Sequence, residues 1–218
     1  MASVVKTDDV LGQNRLAVLP RLILIIPPLF EYVHKLFNHT GIRRTLLKVR
    51  IPVFIVLVLI WPWIVDREML LPGLTVSLLG VAIQWWCFAC LEKEKVLTIR
   101  GPYQLCRNPM YLGRYLLILG FIIAINNIPV ILVFTVIYWF YMVNRVKREE
   151  PVLENIFGQP YRDYCRDVNR FLPGFRRVDG NFFFFDWEIM LSNNGHWNLL
   201  SVVVGYAYIY AMIGFVVQ

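Results

Sequence analysis

The sequence predicts an all-α, polytopic integral membrane protein, and three observations support this fold class. Of its 218 residues, 58% are hydrophobic and only 17% are charged, whereas about 25% of residues are charged in an average soluble domain. Five long apolar runs follow one another along the chain. No internal repeat or long polar segment suggests a separate soluble domain, so we expect residues 1–218 to form a single membrane domain.

The five apolar runs predict about five transmembrane helices. A helix needs about 20 residues to cross a hydrocarbon core about 30 Å thick. The second and fifth runs reach that length, and the others are expected to borrow flanking residues such as Lys48, Arg50 or Arg145, whose stems can lie in the membrane. The runs are Ile51–Val65, Leu70–Leu91, Tyr111–Ile125, Ile128–Val143 and Trp197–Val217.

A shorter apolar run precedes these, from Leu22 to Phe30. It contains Pro27 and Pro28 and follows Arg21, which favours a helix lying in the interface, or re-entering it, over a full span. We place this element within residues 16–35. No small-residue cleavage pattern follows it, so we do not expect a removable signal peptide.

Lysine and arginine are concentrated in alternate loops. They cluster before the first long run, between the second and third, and after the fourth, whereas the opposite loops carry only Arg67. By the positive-inside rule the cationic loops face the cytosol. Topology thus accounts for most of the formal charge of +7, so membrane lipids are expected neighbours and nucleic acid is not.

Cysteine and histidine do not indicate a metal or disulfide framework. Cys87 and Cys90 form a C-x-x-C pair, but within an apolar run where such spacing favours packing. The three histidines are scattered without ligand spacing. We therefore expect no metal site.

Shorter helices are predicted after the fourth run. The sequence EEPVLENIFG indicates a helix that Pro151 kinks and Gly158 ends. A second amphipathic helix is expected to follow and to end at Pro173-Gly174. The aromatic segment Phe182–Trp187 then fits an interfacial anchor, or a lid over a gap through which lipids enter.

The stretch Gly101–Gly113, GPYQLCRNPMYLG, combines turn residues, charge and aromatic rings where a loop enters an apolar helix. The helix is expected to begin near Met110, with unpaired N–H groups that suit an anion. Arg107 adds a planar cation, and Tyr103 and Tyr111 add ring faces and hydroxyls. A basic, aromatic membrane boundary would have the same composition, so both interpretations stay open here.

Two adjacent carboxylates, Glu149 and Glu150, follow the next apolar hairpin. Neighbouring helical side chains point about 100° apart, so one of the two is expected to face inward. An inward carboxylate needs a partner. That partner is Arg148, Arg145 or Arg107, or else a ligand bearing an ammonium group or ribose hydroxyls.

These motifs together resemble a known superfamily. R-N-P-M-Y-L-G, a short apolar hairpin, and then E-E-x-x-L-x-x-x-F-G-x-x-Y-x-x-Y-x-x-x-V-x-R-F-L-P resemble the isoprenylcysteine carboxyl methyltransferases and phospholipid methyltransferases of membranes. The resemblance runs over residues 101–173, which it implies to be the cofactor-binding catalytic core. It implies S-adenosyl-L-methionine as cofactor, bound by membrane helices; accordingly, the sequence has no G-x-G-x-x-G unit. Residues 174–218 lie outside it and add one further transmembrane helix.

The resemblance and the residue chemistry together give a set of candidate site residues. As catalytic residues we expect Arg107, Arg170 and Glu150. As cofactor-binding residues we expect Tyr103, Asn108, Pro109, Tyr111, Gly113, Glu149, Glu150, Tyr161, Phe171 and Pro173. As acceptor-binding residues we expect Arg114, Tyr115 and Arg145, with snorkelling as the alternative for Arg114. Asn108 is a departure, since the prenylcysteine enzymes usually have histidine there.

The expected function is an S-adenosylmethionine-dependent methyltransferase at the cytosolic membrane interface. Its acceptor would be lipophilic or membrane-embedded, with a carboxylate, amine or thiol as the nucleophile. Two alternatives are kept: an NADPH-dependent reductase of the sterol reductase type, and a non-catalytic membrane scaffold. The oligomeric state stays open.

Overall fold

The computed structural model describes residues 40–92 and 96–216, together with Tyr32. Regular structure in these residues is entirely helical, which confirms the all-α prediction. The α-helices are α1 (Thr40–Ile64), α2 (Leu70–Cys90), α3 (Pro109–Ile123), α4 (Ile128–Phe157), α5 (Gln159–Asp167), α6 (Trp187–Ser192) and α7 (His196–Val216). Short 3₁₀ helices occupy Arg67–Met69 and Gly101–Gln104. The element predicted within residues 16–35 lies, apart from Tyr32, outside the described residues.

Three helical segments in the described part of the chain are long and apolar enough to cross a membrane. They are Arg67–Cys90, Ile128–Phe157 and His196–Gly214. Helix α3 is apolar but shorter, and α1 contains the first predicted run except its last residue, Val65. The protein is therefore an integral membrane protein, and a total of five spans stays a prediction.

Helices α2 and α3 touch through their backbones. A Cβ atom added at Gly120 would lie 2.2 Å from the Gly73 carbonyl oxygen, and one added at Gly80 would lie 2.3 Å from the Leu117 nitrogen. The Ser77 hydroxyl donates to the Leu117 carbonyl at 2.9 Å. Helices surrounded by lipid associate through such small residues, because close approach maximises van der Waals contact.

Helix α7 packs against both α2 and α3 through buried polar and aromatic side chains. The Tyr206 hydroxyl lies 3.3 Å from Ser77 Oγ, and its ring centroid is 4.6 Å from that of Phe121. Asn198 donates to the buried Gln84 at 3.1 Å. Buried amides and hydroxyls in a helix bundle require such partners, so these bonds fix the position of α7 against α2.

Helix α4 passes through Pro151 and ends at Phe157, where Gly158 adopts φ 59° and ψ −128°. That backbone conformation is open only to glycine. The predicted helix stop at Gly158 is confirmed, and it allows α5 to begin at once.

Helix α5 ends at Asp167, well before the predicted end at Pro173-Gly174, so that boundary was wrong. The reason is a competing set of backbone bonds. The Asn169 carbonyl accepts from the Arg107 N–H at 2.8 Å, and the Gly174 N–H donates to the Leu105 carbonyl at 2.8 Å. Residues 169–174 therefore pair with the loop before α3 instead of continuing the helix.

The contact between α2 and α3 makes a prediction about two glycines. Gly120→Ala should lower the midpoint of thermal unfolding in detergent by several degrees, because overpacking costs about 1–3 kcal/mol and each kcal/mol is worth about 2–4 °C at this size. Gly214→Ala is the matched control, since nothing lies within 4 Å of its added Cβ. A fall in both midpoints, or in neither, would contradict the packing described above.

Candidate functional site

The Glu150 carboxylate lies between two guanidinium groups. Arg107 Nη1 is 3.2 Å from Glu150 Oε1, and Arg170 Nε donates to the same oxygen at 3.0 Å while its Nη2 bonds Oε2. The side chains of Arg107 and Glu150 are only 13% and 15% exposed. Glu150 is thus the inward-facing member of the acidic pair, and it joins the loop before α3, the end of α4 and the segment after α5.

Glu149 forms a second polar cluster beside the first. It accepts from the Tyr111 hydroxyl at 2.7 Å and from Arg145 Nε at 2.6 Å. Tyr138 supports Tyr111, because its hydroxyl donates to the Tyr111 carbonyl at 2.8 Å. The Glu149 side chain is 38% exposed, so this carboxylate is held in place but open to one side.

Arg107 has one buried donor without a partner. Its Nε is buried and makes no hydrogen bond, although Nη1 contacts Cys165 Sγ as well as Glu150. A buried unpaired donor on a charged group is costly. A ligand oxygen that accepts from this N–H would remove the cost.

A cavity of about 90 Å³ borders this arginine. It lies among the loop after α2, the residues before α3, and helices α4 and α5; its polar lining includes Tyr103, Arg107, Asn108, Tyr161 and Tyr164. A larger cavity of about 220 Å³ shares Glu92 and residues 96–98 with it. The two cavities therefore adjoin the same loop.

The start of α3 is fixed by neighbouring segments. Asn108 does not cap α3 with its side chain; its Nδ2 instead donates to the Arg170 carbonyl at 3.2 Å. The buried Tyr103 offers its carbonyl to the Tyr164 hydroxyl at 2.7 Å. Burial raises the pKa of both phenols well above the usual value, so both are neutral.

Gly113 faces helix α2. A Cβ atom added there would lie 2.7 Å from Gln84 Cγ and 3.0 Å from the Gly80 carbonyl oxygen. The sequence predicted that this glycine belongs to the cofactor site. The close approach that it permits in the structure is between two helices.

The candidate acceptor residues on α3 lie along its contact with α4. The Arg114 guanidinium lies 5.7 Å from the centre of the Tyr111 ring, and none of the described carboxylates comes within 4.0 Å of it. The Tyr115 ring stacks on Phe134, with centroids 5.8 Å apart and planes 6° apart, and its hydroxyl is 3.0 Å from Thr135 Oγ1. Arg114 is thus a half-buried cation near the polar clusters without an ion-pair partner among the described residues.

The remaining candidates differ in burial. Tyr161 is buried in the cavity wall, and Pro109 is buried at the start of α3. Phe171 packs against Trp139, with ring centroids 5.6 Å apart. Pro173 is exposed. The structure therefore joins Arg107, Glu150 and Arg170 directly, and Tyr111, Glu149 and Arg145 directly, while Phe171 closes one side.

Sequence reasoning missed three side chains that hold the site together: Tyr138, Tyr164 and Cys165. A signal existed for Tyr138, which lies on the same face of α4 as Arg145 and Glu149 at helical spacing. Tyr164 and Cys165 were expected only on an amphipathic face, because their partners lie some sixty positions earlier in the chain. In the described residues, no group of three His, Cys, Asp or Glu side chains could hold a metal ion.

Fold and site together define a class: a helical membrane protein whose charged site lies at one end of its helices. Comparison with known proteins agrees with this class and narrows it. Residues 73–160 match the phospholipid methyltransferase family. That segment contains nearly all of α2 and all of α3 and α4, and therefore includes both Glu149 and Glu150.

The curated relatives include isoprenylcysteine methyltransferases and a metal-resistance protein. The chain is 30% identical over 82 residues to a protein-S-isoprenylcysteine O-methyltransferase of Schizosaccharomyces pombe. These 82 residues cover 38% of this chain and 35% of that protein. It is 32% identical over 82 residues to the enzyme of that name from Tribolium castaneum, which covers 38% of this chain and 29% of the Tribolium protein. It is also 28% identical over 106 residues to the cobalt-zinc-cadmium resistance protein CzcN of Cupriavidus metallidurans, covering 46% and 49%.

The matched segment is therefore similar to the membrane methyltransferases that include the phospholipid and isoprenylcysteine enzymes, which confirms the resemblance. The match spans between 29% and 49% of the length of these relatives. No solved structure matches the chain.

The position of the Glu150 carboxylate between Arg107 and Arg170 predicts an effect on stability. Glu150→Gln should lower the thermal midpoint in detergent, because two guanidinium groups lose their counter-charge and a buried unsatisfied group costs about 1–3 kcal/mol. Glu154→Gln, one turn further along α4, is the control; its pair with Arg162 is largely exposed and is worth about 0–1 kcal/mol. Equal midpoints for the two variants would show that the bracketed ion pair adds no stability.

Proposed function

We propose that the protein is an S-adenosyl-L-methionine-dependent methyltransferase that acts on a lipophilic acceptor, with residues 101–173 as its catalytic core. The observation that carries the proposal is the pair of polar clusters around Glu149 and Glu150. Both carboxylates and their partners Arg107, Tyr111 and Arg145 lie within the segment that matches a methyltransferase family, and Arg170 lies beyond it. A non-catalytic scaffold has no use for a buried, unpaired arginine donor that borders a cavity.

The chemistry of the side chains fits this cofactor. S-adenosylmethionine carries a carboxylate, an ammonium group and ribose hydroxyls. The unpaired Nε of Arg107 is a donor for a carboxylate oxygen. Glu149, already oriented by Tyr111 and half open, is an acceptor for the ammonium group or a hydroxyl.

The cavity beside Arg107 is too small for the complete cofactor. Its volume of about 90 Å³ compares with roughly 300–1,000 Å³ for pockets that hold drug-sized ligands. Complete binding therefore requires its walls to move. The larger cavity lies across the same loop, so a shift of residues 96–98 would join the two spaces.

In this mechanism the bound cofactor supplies an activated methyl group. The protein's task is to align donor and acceptor and to exclude water. Arg107, Glu149, Glu150 and the Tyr111 hydroxyl hold one partner in a fixed orientation. With an amine or thiol acceptor, a carboxylate receives the released proton; with a carboxylate acceptor, no proton is released and Arg170 or Arg114 orients the anion.

We further propose that the site faces the cytosol and that the acceptor arrives sideways from the bilayer. The excess of lysine and arginine in the loops at this end of the helices supports the orientation. The face shared by α3 and α4 offers an apolar, aromatic lining for a lipid chain, formed by Tyr115, Phe134 and Tyr138. Arg114 and Arg145 lie nearer the polar clusters, where a headgroup would come to rest.

Removing one hydroxyl tests the cofactor site. Tyr111→Phe should weaken binding of S-adenosylhomocysteine at least about tenfold in calorimetry on the purified protein, because a hydrogen bond to a charged group is worth about 1.5–3 kcal/mol. Tyr210→Phe removes a hydroxyl from a residue that is 76% exposed on α7 and should leave the affinity unchanged.

The same titration separates the competing functions. Binding of NADPH but not of S-adenosylhomocysteine would replace the methyltransferase by a reductase. Binding of neither ligand to protein that is folded and monodisperse would favour the scaffold.

Arg114 provides a test of the acceptor. Protein incubated with methyl-labelled cofactor and a membrane lipid extract should yield a labelled lipid, whose identity gives the acceptor. With that lipid, Arg114→Gln should raise the KM about tenfold, while the affinity for S-adenosylhomocysteine stays constant. Arg162→Gln, an exposed arginine of α5, is the control. An unchanged KM in Arg114→Gln would remove this residue from the acceptor site.

A further inference from the structure

The aromatic segment Phe182–Trp187 wraps around the end of α2 that carries the site. The Phe182 ring packs edge-on against Trp86, with centroids 5.0 Å apart. The Phe184 carbonyl accepts from the Trp86 indole at 3.2 Å, and the Arg100 guanidinium lies 3.9 Å from the centre of the Phe184 ring. Alternate residues of the segment therefore hold it firmly against the rest of the protein.

The intervening residues point outward. Phe183 is 86% exposed, Trp187 is 60% exposed and Phe185 is 38% exposed. Phe185 and Trp187 lie edge to face, 4.9 Å apart. Three large aromatic side chains on a rigid support thus form an exposed apolar surface, which is unusual on a face that meets water.

The depth of this surface can be read from α2. Trp85 and Trp86 lie five and four residues before the last residue of α2, Cys90, which places them about 6–8 Å inside the helix end. The Trp187 ring lies 6.2 Å from Trp85, and the Trp85 indole donates to the Gly195 carbonyl at 2.9 Å. The aromatic segment and the start of α7 therefore share a level about one turn inside a membrane-spanning helix.

We propose that Phe183, Phe185 and Trp187 are embedded in the headgroup–acyl boundary of the lipid leaflet on the side of the site. Aromatic rings concentrate at this depth because an apolar body and a polar edge suit the boundary. A leaflet that surrounds α2 and α7 reaches the three rings without any further partner. This inference lies outside the matched segment and does not depend on the methyltransferase assignment.

The embedding has a consequence for the site loop. The Gly101 N–H donates to the Asn181 carbonyl at 3.1 Å. Gln104 and Asp179 bond each other twice, through the Gln104 amide and through the Asp179 backbone N–H. Residues 179–184 thereby connect the lipid leaflet to residues 101–104, which lead to Arg107.

Nitroxide labels on engineered cysteines test the proposal in phosphatidylcholine nanodiscs. Cys165→Ser removes the one partly exposed native cysteine, because the other three are buried. A label at Phe183→Cys should collide with oxygen more often than with a water-soluble nickel chelate. The control for a lipid-exposed position is a label at Val203→Cys, on the exposed apolar face of α7, which should show the same preference. The control for a water-exposed position is a label at Ile156→Cys, next to the C-terminal residue of the 30-residue α4, which should collide more often with the nickel chelate than with oxygen.

Two results would overturn the embedding. A label at position 183 that matches the one at position 156 would place the segment in water. A label inaccessible to both reagents, with dipolar coupling between labels in one nanodisc, would show that a second copy of the chain covers the surface.

Discussion

A carboxylate that is largely shielded from solvent near a membrane surface must be paired, and the rest of the site depends on how Glu150 meets this requirement. Its two partners, Arg107 and Arg170, come from segments on either side of it in the chain. Once these three side chains meet, their segments are close enough to bond: the Asn169 carbonyl accepts from the Arg107 backbone N–H, and the Arg170 carbonyl accepts from the Asn108 side-chain amide. The ion pairs do not have to add much net stability for this to hold. Burying a pair is close to neutral, but leaving one member unpaired is expensive, so arrangements that separate the three segments are disfavoured.

The motif from Gly101 to Gly113 serves packing and chemistry at once. Gly113 continues the row of small residues through which α3 touches α2, and the opposite face of the same turns carries Tyr111 and Arg114. Because α2 and α3 approach at backbone distance, the position of Tyr111 relative to α4 is set by helix packing. Its hydroxyl can then orient Glu149 with a single hydrogen bond.

The parts of this structure that sequence predicts are those decided locally. Apolar runs gave α2 and α7 nearly residue by residue, and Gly158 marked the end of α4 because only glycine fits its backbone conformation. Arg107 and Arg145 were among the partners expected for the acidic pair. The end of α5 and the pairing of Arg170 with Glu150 were not foreseen, since bonds to residues 105–107 decide both. Amphipathic spacing carries no information about such distant partners, so it continued the helix to Pro173.

The balance of charge at the site bears on the acceptor under the proposed function. Arg107, Arg145 and Arg170 face two carboxylates, Glu149 and Glu150, which leaves one positive charge in excess. Arg114 adds a second, half-buried positive charge nearby. A sulfonium cofactor with one carboxylate and one ammonium group brings a further net positive charge. Like charges in a poorly solvated site repel strongly, so a neutral amine or thiol acceptor would leave the loaded site with uncompensated charge. An acceptor with a carboxylate next to its lipid chain would offset one of these positive charges, and methylation would turn that carboxylate into a neutral ester that no longer binds the arginines by charge.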